Sequence, residues 1–362
     1  AALPDEERRA LFGTDFRYMD KPQHMAKLIN WALADLMSVR RNVILFGEDV
    51  AGKGGVYNVT NGLVQKFGHR RVFNSLLDET SILGMAIGAA HNGFIPIPEI
   101  QFLAYVHNAE DQIRGEAATL SFFSSGQYTN PMVVRIAGLA YQKGFGGHFH
   151  NDNSLNVFRD IPGVMLAVPS NGADAARMLR ASVRAAEEEG RVVIFVEPIA
   201  LYMTKDLHAT GDNGWCFDYP APQEELAPGE FAVHGDGRDL AIISYGNGYY
   251  LSRQAEKILA ETHGIRTRVI DLRWLAPLDL AKLATTVSDC KHVLVVDECR
   301  RTGSLSEQIV TGMVEHLDKV PKMARVTAED CFIPLGKAYD VLLPSRDMIV
   351  ERAVKLCGGA GK

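Results

Sequence analysis

Cysteine is scarce in this chain and follows no pairing pattern. Of 362 residues, five are cysteine: Cys216, Cys290, Cys299, Cys331 and Cys357. They are odd in number, widely spaced and contain no CxxC pair. That excludes a disulfide framework or a zinc knuckle and fits a reducing compartment. No apolar run approaches the ~20 residues needed to span a bilayer. Positive charge is not in surplus either: 38 Lys and Arg stand against 44 Asp and Glu, a net charge of −6. This removes the electrostatic case for nucleic acid or an anionic membrane as partner. The opening AALPDEERRALFG is too charged for a signal peptide, and no Met precedes it, so the chain is expected to be processed or the tail of something longer. There is no GKS/T phosphate loop, no GxSxG elbow and no HExxH. P-loop, serine-hydrolase and zincin chemistries therefore have no motif to stand on.

What is present is apolar and regular. Hydrophobic residues make up 47% of the chain, ample for two cores, and at ~100–200 residues per domain two domains are expected. A polar arm (1–22) precedes a 3.6-period pattern at Met25, Leu28, Ile29, Ala32, Leu33 and Leu36. Short apolar strands follow at 43–46, 71–74, 95–102, 131–138, 164–170 and 192–198, separated by helical stretches that include 104–120 and 172–187. Strands alternating with helices predict βαβ units, and their continuous apolar character predicts a parallel sheet covered on both faces. Residues 204–228 are polar and proline- and glycine-containing and read as a linker. A second alternation follows, with strands at 239–246, 267–272, 292–298 and 324–328 and helices at 249–262, 279–288, 304–317 and 345–357. The fold class is α/β: a first domain over 23–203 and a smaller one over 229–362, each a mostly parallel sheet covered by helices. Ser304 with Glu307 reads as a capping box.

In open α/β sheets ligands bind beyond the carboxyl ends of the strands. In the first domain those ends carry Glu48 and Asp49, Leu77 to Glu79, Gln101 to Tyr105, and the loop with His148 and His150. Glu79 precedes a helix with small residues on one face (Gly84, Ala86, Gly88, Ala89, Ala90), and Glu99 follows as a second carboxylate. An acid among so many apolar neighbours is expected to be desolvated, which makes it a candidate for proton chemistry. The plainer alternative is a first-turn acid satisfying the helix dipole. His148 and His150 lack a nearby third ligand for a metal, and Gly52, Gly54 and Gly55 have no dinucleotide spacing.

The segments GEDVAGKGGVYNVTNGL, RVFN, LLDETSILGMAIG, EIQFLAYVHNAEDQI, HFHNDNS and FVEPIALY occur in that order. From about Met25 to the C-terminus the chain resembles the beta subunit of the thiamine diphosphate-dependent component of 2-oxo acid dehydrogenase complexes, pyruvate or branched-chain type, with a transketolase-like fold. The resemblance implies decarboxylation of a 2-oxo acid and reductive acylation of a lipoyl group. It implies that Glu79 hydrogen-bonds N1′ of the cofactor's aminopyrimidine, and that Leu77, Gln101, Phe102 and Tyr105 line the pyrimidine side. His150 is implied to lie near substrate during acyl transfer; preferring it over His148 rests on the polar residues that follow. Glu48 is implied to lie between paired active sites, as a proton relay or a structural acid.

The diphosphate- and Mg2+-binding half is missing. The resemblance assigns it to an alpha subunit or an alpha-like half of a fused chain, in an α2β2-type assembly with a second copy of this chain. It further implies a lipoyl-bearing acyltransferase core docked on the second domain, with Arg300, Arg301 and Glu307 as candidates against ordinary solvated charges. The implied compartment is the bacterial cytoplasm, or the mitochondrial matrix in a eukaryote. The family's monovalent-cation ligands are not preserved in VRAAEEEGR (183–191), and no metal is expected on this chain. Gly235-Asp236-Gly237 looks like the opening of a thiamine metal motif. It lacks the following Asn pair, since Thr262-His263-Gly264 stands there, so it reads as a hairpin turn. Two alternatives stay open: another transketolase-like enzyme, or a catalytically silent scaffold subunit.

Overall fold

In a computed structural model, residues 3–139 and 145–358 are described. The chain begins with α1 (Asp5–Phe12) and a 3-10 turn (Gly13–Tyr18), then runs through α2 (Met25–Val39), β1 (Val43–Gly47), α3 (Leu63–Phe67), β2 (Val72–Asn74), α4 (Glu79–His91) and β3 (Ile95–Ile100). After a 3-10 stretch (Leu103–Ala109) and a π-helical turn (Gln112–Ala117) come α5 (Thr119–Phe123), β4 (Met132–Gly138), α6 (Asn156–Arg159), β5 (Met165–Ala167), α7 (Gly172–Glu189) and β6 (Val192–Pro198). The remainder is β7 (Ala232–His234), β8 (Leu240–Ser244), α8 (Gly246–His263), β9 (Thr267–Asp271), β10 (Trp274–Ala276), α9 (Leu280–Val287), β11 (His292–Arg300), α10 (Leu305–His316), β12 (Lys322–Ala328) and α11 (Arg346–Leu356).

The first sheet has seven strands in the order β10-β5-β6-β4-β3-β1-β2, and the second has five in the order β12-β11-β8-β9-β7. Both are parallel except for their edge strands β10 and β7. The continuous apolar runs work as expected: in β1, Val43 and Leu45 enter one core cluster while Ile44 and Phe46 enter another. The first of these clusters is built on α2 and α7; the second continues into the other domain through Ile243, Ile270 and Val295. Prolines 96 and 98 are tolerated inside β3 because its ladder to β4 starts only at Glu99, past both missing N–H groups.

The structure corrects several expectations. The helix expected over 104–120 is a 3-10 stretch, a π turn and a short α-helix in series. The segment over 204–228 has no helix or strand, yet it is not loose. Its alternating Trp215, Phe217 and Tyr219 dock on α2, α7 and α8, Phe217 exchanges backbone hydrogen bonds with Gln23 (2.8 and 3.0 Å), and the Arg180 guanidinium donates to three of its carbonyls. The N-terminal arm is helical and docked, with the Asp15 carboxylate accepting from Lys27 (2.8 Å) and the Trp31 indole (3.1 Å). Gly235-Asp236-Gly237 does not close a hairpin, because β9 lies between β7 and β8. Ser304 makes no capping bond; Glu307 reaches the Gly303 N–H (3.0 Å), and the Asp297 carboxylate caps the helix through the Ser306 N–H (2.8 Å). Strand β10 was not anticipated. It leaves the second domain and pairs antiparallel with β5, placing Trp274 opposite Ala167.

Candidate active site

Glu79 is the first residue of α4. The Asp78 side chain caps the helix by accepting from the Ser81 N–H (3.1 Å), which frees Glu79 from the capping role. Glu79 is 6% exposed. One of its carboxyl oxygens accepts from the Asn108 amide at 3.3 Å, and the Thr80 hydroxyl donates to the Asn108 carbonyl at 2.6 Å. The 3-10 stretch is thereby stitched to the start of α4. Asn108 was not singled out from the sequence; its position three residues after Tyr105, one turn on, was the signal available.

Glu48 stands just beyond β1, half-buried. Burial pushes its carboxyl up, and the neighbouring Asp49 and Glu79 carboxylates push it further. Burial also pushes the Tyr105 phenol up, with Glu48 and Glu79 adding to the effect. Tyr105, Glu48 and Glu79 therefore share one electrostatic environment. The Tyr105 hydroxyl lies 3.4 Å from Nε2 of His150. The His150 ring sits 4.7 Å from Phe102 and 5.2 Å from Phe145, centroid to centroid. Gly146 makes this packing possible: its φ is +69°, and a Cβ there would fall 2.1 Å from His150 Nδ1. Gln101, half-buried, follows β3 directly. Leu77 is on the open side of the cluster and is 72% exposed. His148 is elsewhere, its ring tilted against Phe149 (4.0 Å between centroids) and facing Phe332 of the second domain (5.5 Å).

Glu99 is not part of this cluster's chemistry. It is buried and bonded to Arg135 (2.6 Å), which also holds Glu197 through two bonds (2.7 and 2.8 Å), and the Tyr202 hydroxyl donates to Glu197 (2.6 Å). This closed network ties β3, β4 and β6 together beneath the site. A second network lies beside it and carries residues the sequence did not flag. The Asp152 carboxylate meets His107 Nε2 (3.3 Å) and Arg300 (3.5 Å), and Arg300 donates to the Ser154 hydroxyl (3.0 Å). Arg300 is thus turned inward rather than presented as a docking residue. Among the described residues no group of three or more His, Cys, Asp or Glu side chains converges to hold a metal ion.

A capped, buried glutamate facing aromatic rings at the carboxyl edge of one parallel sheet, with a second sheet packed against it, defines a two-domain α/β protein of the transketolase-like class. The model of the transketolase pyrimidine-binding domain matches residues 21–204, and that of the transketolase C-terminal domain matches residues 229–349. The chain belongs to this family. It is 33% identical over 338 residues to the pyruvate dehydrogenase E1 component subunit beta of Staphylococcus epidermidis and to that of Staphylococcus aureus, covering 91% of this chain and 97% of each relative. The Bacillus subtilis subunit of the same description is 31% identical over 341 residues, covering 92% of this chain and 98% of the relative. Among solved structures, a chain described as a split gene transketolase, inactive beta4 tetramer, superimposes with a TM-score of 0.70 at 19% identity, over 93% of this chain and 99% of that one.

Proposed function

We propose that this chain is the beta half of a thiamine diphosphate-dependent 2-oxo acid dehydrogenase and supplies the aminopyrimidine side of the active site, with domain boundaries at 23–203 and 229–362. The observation that carries this is the state of Glu79. It is buried and held by Asn108 on one oxygen, and its other oxygen has no partner among the described residues. A carboxyl presented in that way can share a proton with a ring nitrogen. The residues present therefore fit the pyrimidine end of thiamine diphosphate. They do not fit its Mg2+-diphosphate end, for which the described residues offer no cluster of ligands.

When bound, the cofactor supplies the carbon nucleophile that attacks the 2-oxo acid's carbonyl. The chain's own residues do the rest of the work assigned here. Glu79 holds a proton at the N1′ position. Phe102, Tyr105, Gln101 and Leu77 wall the pyrimidine side. His150, steadied by Phe102, Phe145 and the Tyr105 hydroxyl, exchanges a proton with substrate during transfer of the acyl group to a lipoyl arm. Glu48, its carboxyl pushed up by burial and then by Asp49 and Glu79, is assigned a role as a proton relay.

The need for a partner has support from the surface. Leu76, Leu77, Phe122 and Phe123, on and beside the elements that carry the site, are between 72% and 80% exposed. Such apolar faces mark an interaction surface. The partners assigned are an alpha subunit or alpha-like half that brings Mg2+ and the diphosphate site, a second copy of this chain, and a lipoyl-bearing acyltransferase. The test is 2-oxo acid decarboxylation by the chain alone and with an alpha-type partner. Turnover only with the partner, and a loss of about 100-fold or more in Glu79→Gln without loss of assembly, are the expected results. Robust turnover by the chain alone, or full activity in Glu79→Gln, would remove the proposal.

A further inference from the structure

The second domain contains a cavity that the thiamine-type site does not use. It lies at the open edge of the second sheet, where β12 has no outer neighbour and α11 packs alongside. An inner cavity of about 170 Å³ is lined by Arg301, Arg325, Thr327 and Arg352. An adjoining cavity of about 390 Å³ is lined by those residues and, among others, by Lys355, Met348, Glu329 and Glu351. On a chain whose net charge is −6, three guanidiniums and an ammonium are gathered on one hollow.

The inner wall has no carboxylate. Arg352 and Lys355 have no ion-pair partner among the described residues, Arg301 makes no direct ion pair but lies close enough to the Asp330 carboxylate to interact with it, and Arg325 has Glu307 at 3.5 Å. Like charges brought this close repel one another unless something of opposite sign sits between them. Arg325 is nevertheless fixed in place: its Nη1 donates to the Arg301 carbonyl (3.0 Å) and to the Ser306 hydroxyl (3.2 Å). Thr327, two residues further along β12 on the same face, adds a hydroxyl. Planar guanidinium forks together with a hydroxyl match the several acceptor oxygens of a phosphate. The adjoining space offers an apolar wall at Met348 and two carboxylates, Glu329 and Glu351, able to accept from hydroxyl or amino groups.

We propose that this cavity binds a small phosphate-bearing molecule, the inner part taking the phosphate or diphosphate group and the outer part the organic body. The inference stands independently of the function proposed above. The test is titration calorimetry of the full chain with inorganic diphosphate, with ADP, and with citrate as a carboxylate of comparable charge. The expected result is saturable binding of one diphosphate or ADP per chain, stronger than citrate and weakened by salt. Arg301→Ser and Arg352→Ser each change an exposed side chain and leave the fold intact by circular dichroism; each is expected to weaken diphosphate about tenfold or more. Absence of saturable binding, binding unchanged in the double variant, or citrate binding as well as diphosphate would overturn the proposal.

Discussion

At the scale of single residues, the site depends on one backbone position as much as on its acids. Gly146 has a positive φ and leaves no room for a Cβ beside His150. Gly146→Ala is expected to push the imidazole off Tyr105 and Phe102. It should lower acyl transfer to lipoamide well before it lowers decarboxylation, and comparing the two half-reactions in the reconstituted enzyme checks this. A second residue-scale prediction concerns Glu298. It is fully buried, accepts from the Gly248 N–H at 2.9 Å, and leaves its other oxygen without a hydrogen bond. Burial pushes its carboxyl up to about 8 from an ordinary value of 4.5. The folded state therefore holds the proton more tightly than the unfolded chain. Its contribution is complete below about pH 4.5 and is lost as pH rises through about 8. Glu298→Gln keeps an acceptor for the helix and cannot ionise. Unfolding free energies from urea titration should coincide with the parent's near pH 4 and exceed them at pH 8.5, by roughly a few kcal/mol.

Much of the residue scale was legible in the sequence, and the exceptions have physical reasons. Glu79, Tyr105, Phe102 and His150 follow one another at strand ends, and parallel-sheet topology brings strand ends together. Asn108 was missed because its role depends on a 3-10 turn that helical periodicity does not reveal. Asp152 and Arg300 were missed as a pair because 148 residues separate them and only the packing of the two domains joins them.

At the scale of elements, the central strands β1, β3, β4, β6 and β8 were legible because each is a short apolar run buried on both faces. The weak elements were not. Strand β10 is three residues long, and its pairing partner belongs to the other domain, so nothing local marks it. The aromatic alternation of Trp215, Phe217 and Tyr219 was hidden among prolines and glycines. Trp274, fully buried in β10, carries the element-scale prediction. Trp274→Ala should cost about 3–5 kcal/mol. It should lower the melting temperature of a single calorimetric transition rather than split it in two, because the core cluster of β4, β6, β8 and β11 is continuous across both domains.

At the scale of the whole molecule, the most telling surface is apolar and surrounds the site. Leu76, Leu77, Phe122 and Phe123 face outward, and Gly84 and Gly88 on α4 leave open space beside them. The chain alone is expected to sediment above monomer mass at micromolar concentration. Leu77→Glu combined with Phe122→Glu should return it to monomer and abolish activation by an alpha-type partner. A monomeric parent chain in sedimentation velocity would contradict this. The expectation that Gly84, Ala86, Gly88, Ala89 and Ala90 share one face of α4 does not hold: Gly84 and Gly88 are exposed while Ala86 and Ala90 are buried, because residues two apart lie on different sides of an α-helix.

Strand β10 also sets what can be exchanged between related proteins. The second domain does not end at its own sheet: it lends a strand, and with it the Arg273–Asp174 ion pair (2.7 Å), to its neighbour. A chimera spliced at the start of the second domain would set a foreign β10 against the native β5. Recombination would then succeed only where donor and acceptor agree on the small Ala167 facing a large indole. The heritable module is the pair of sheets together, and a graft of the C-terminal half should be designed with residues 165–174 carried along.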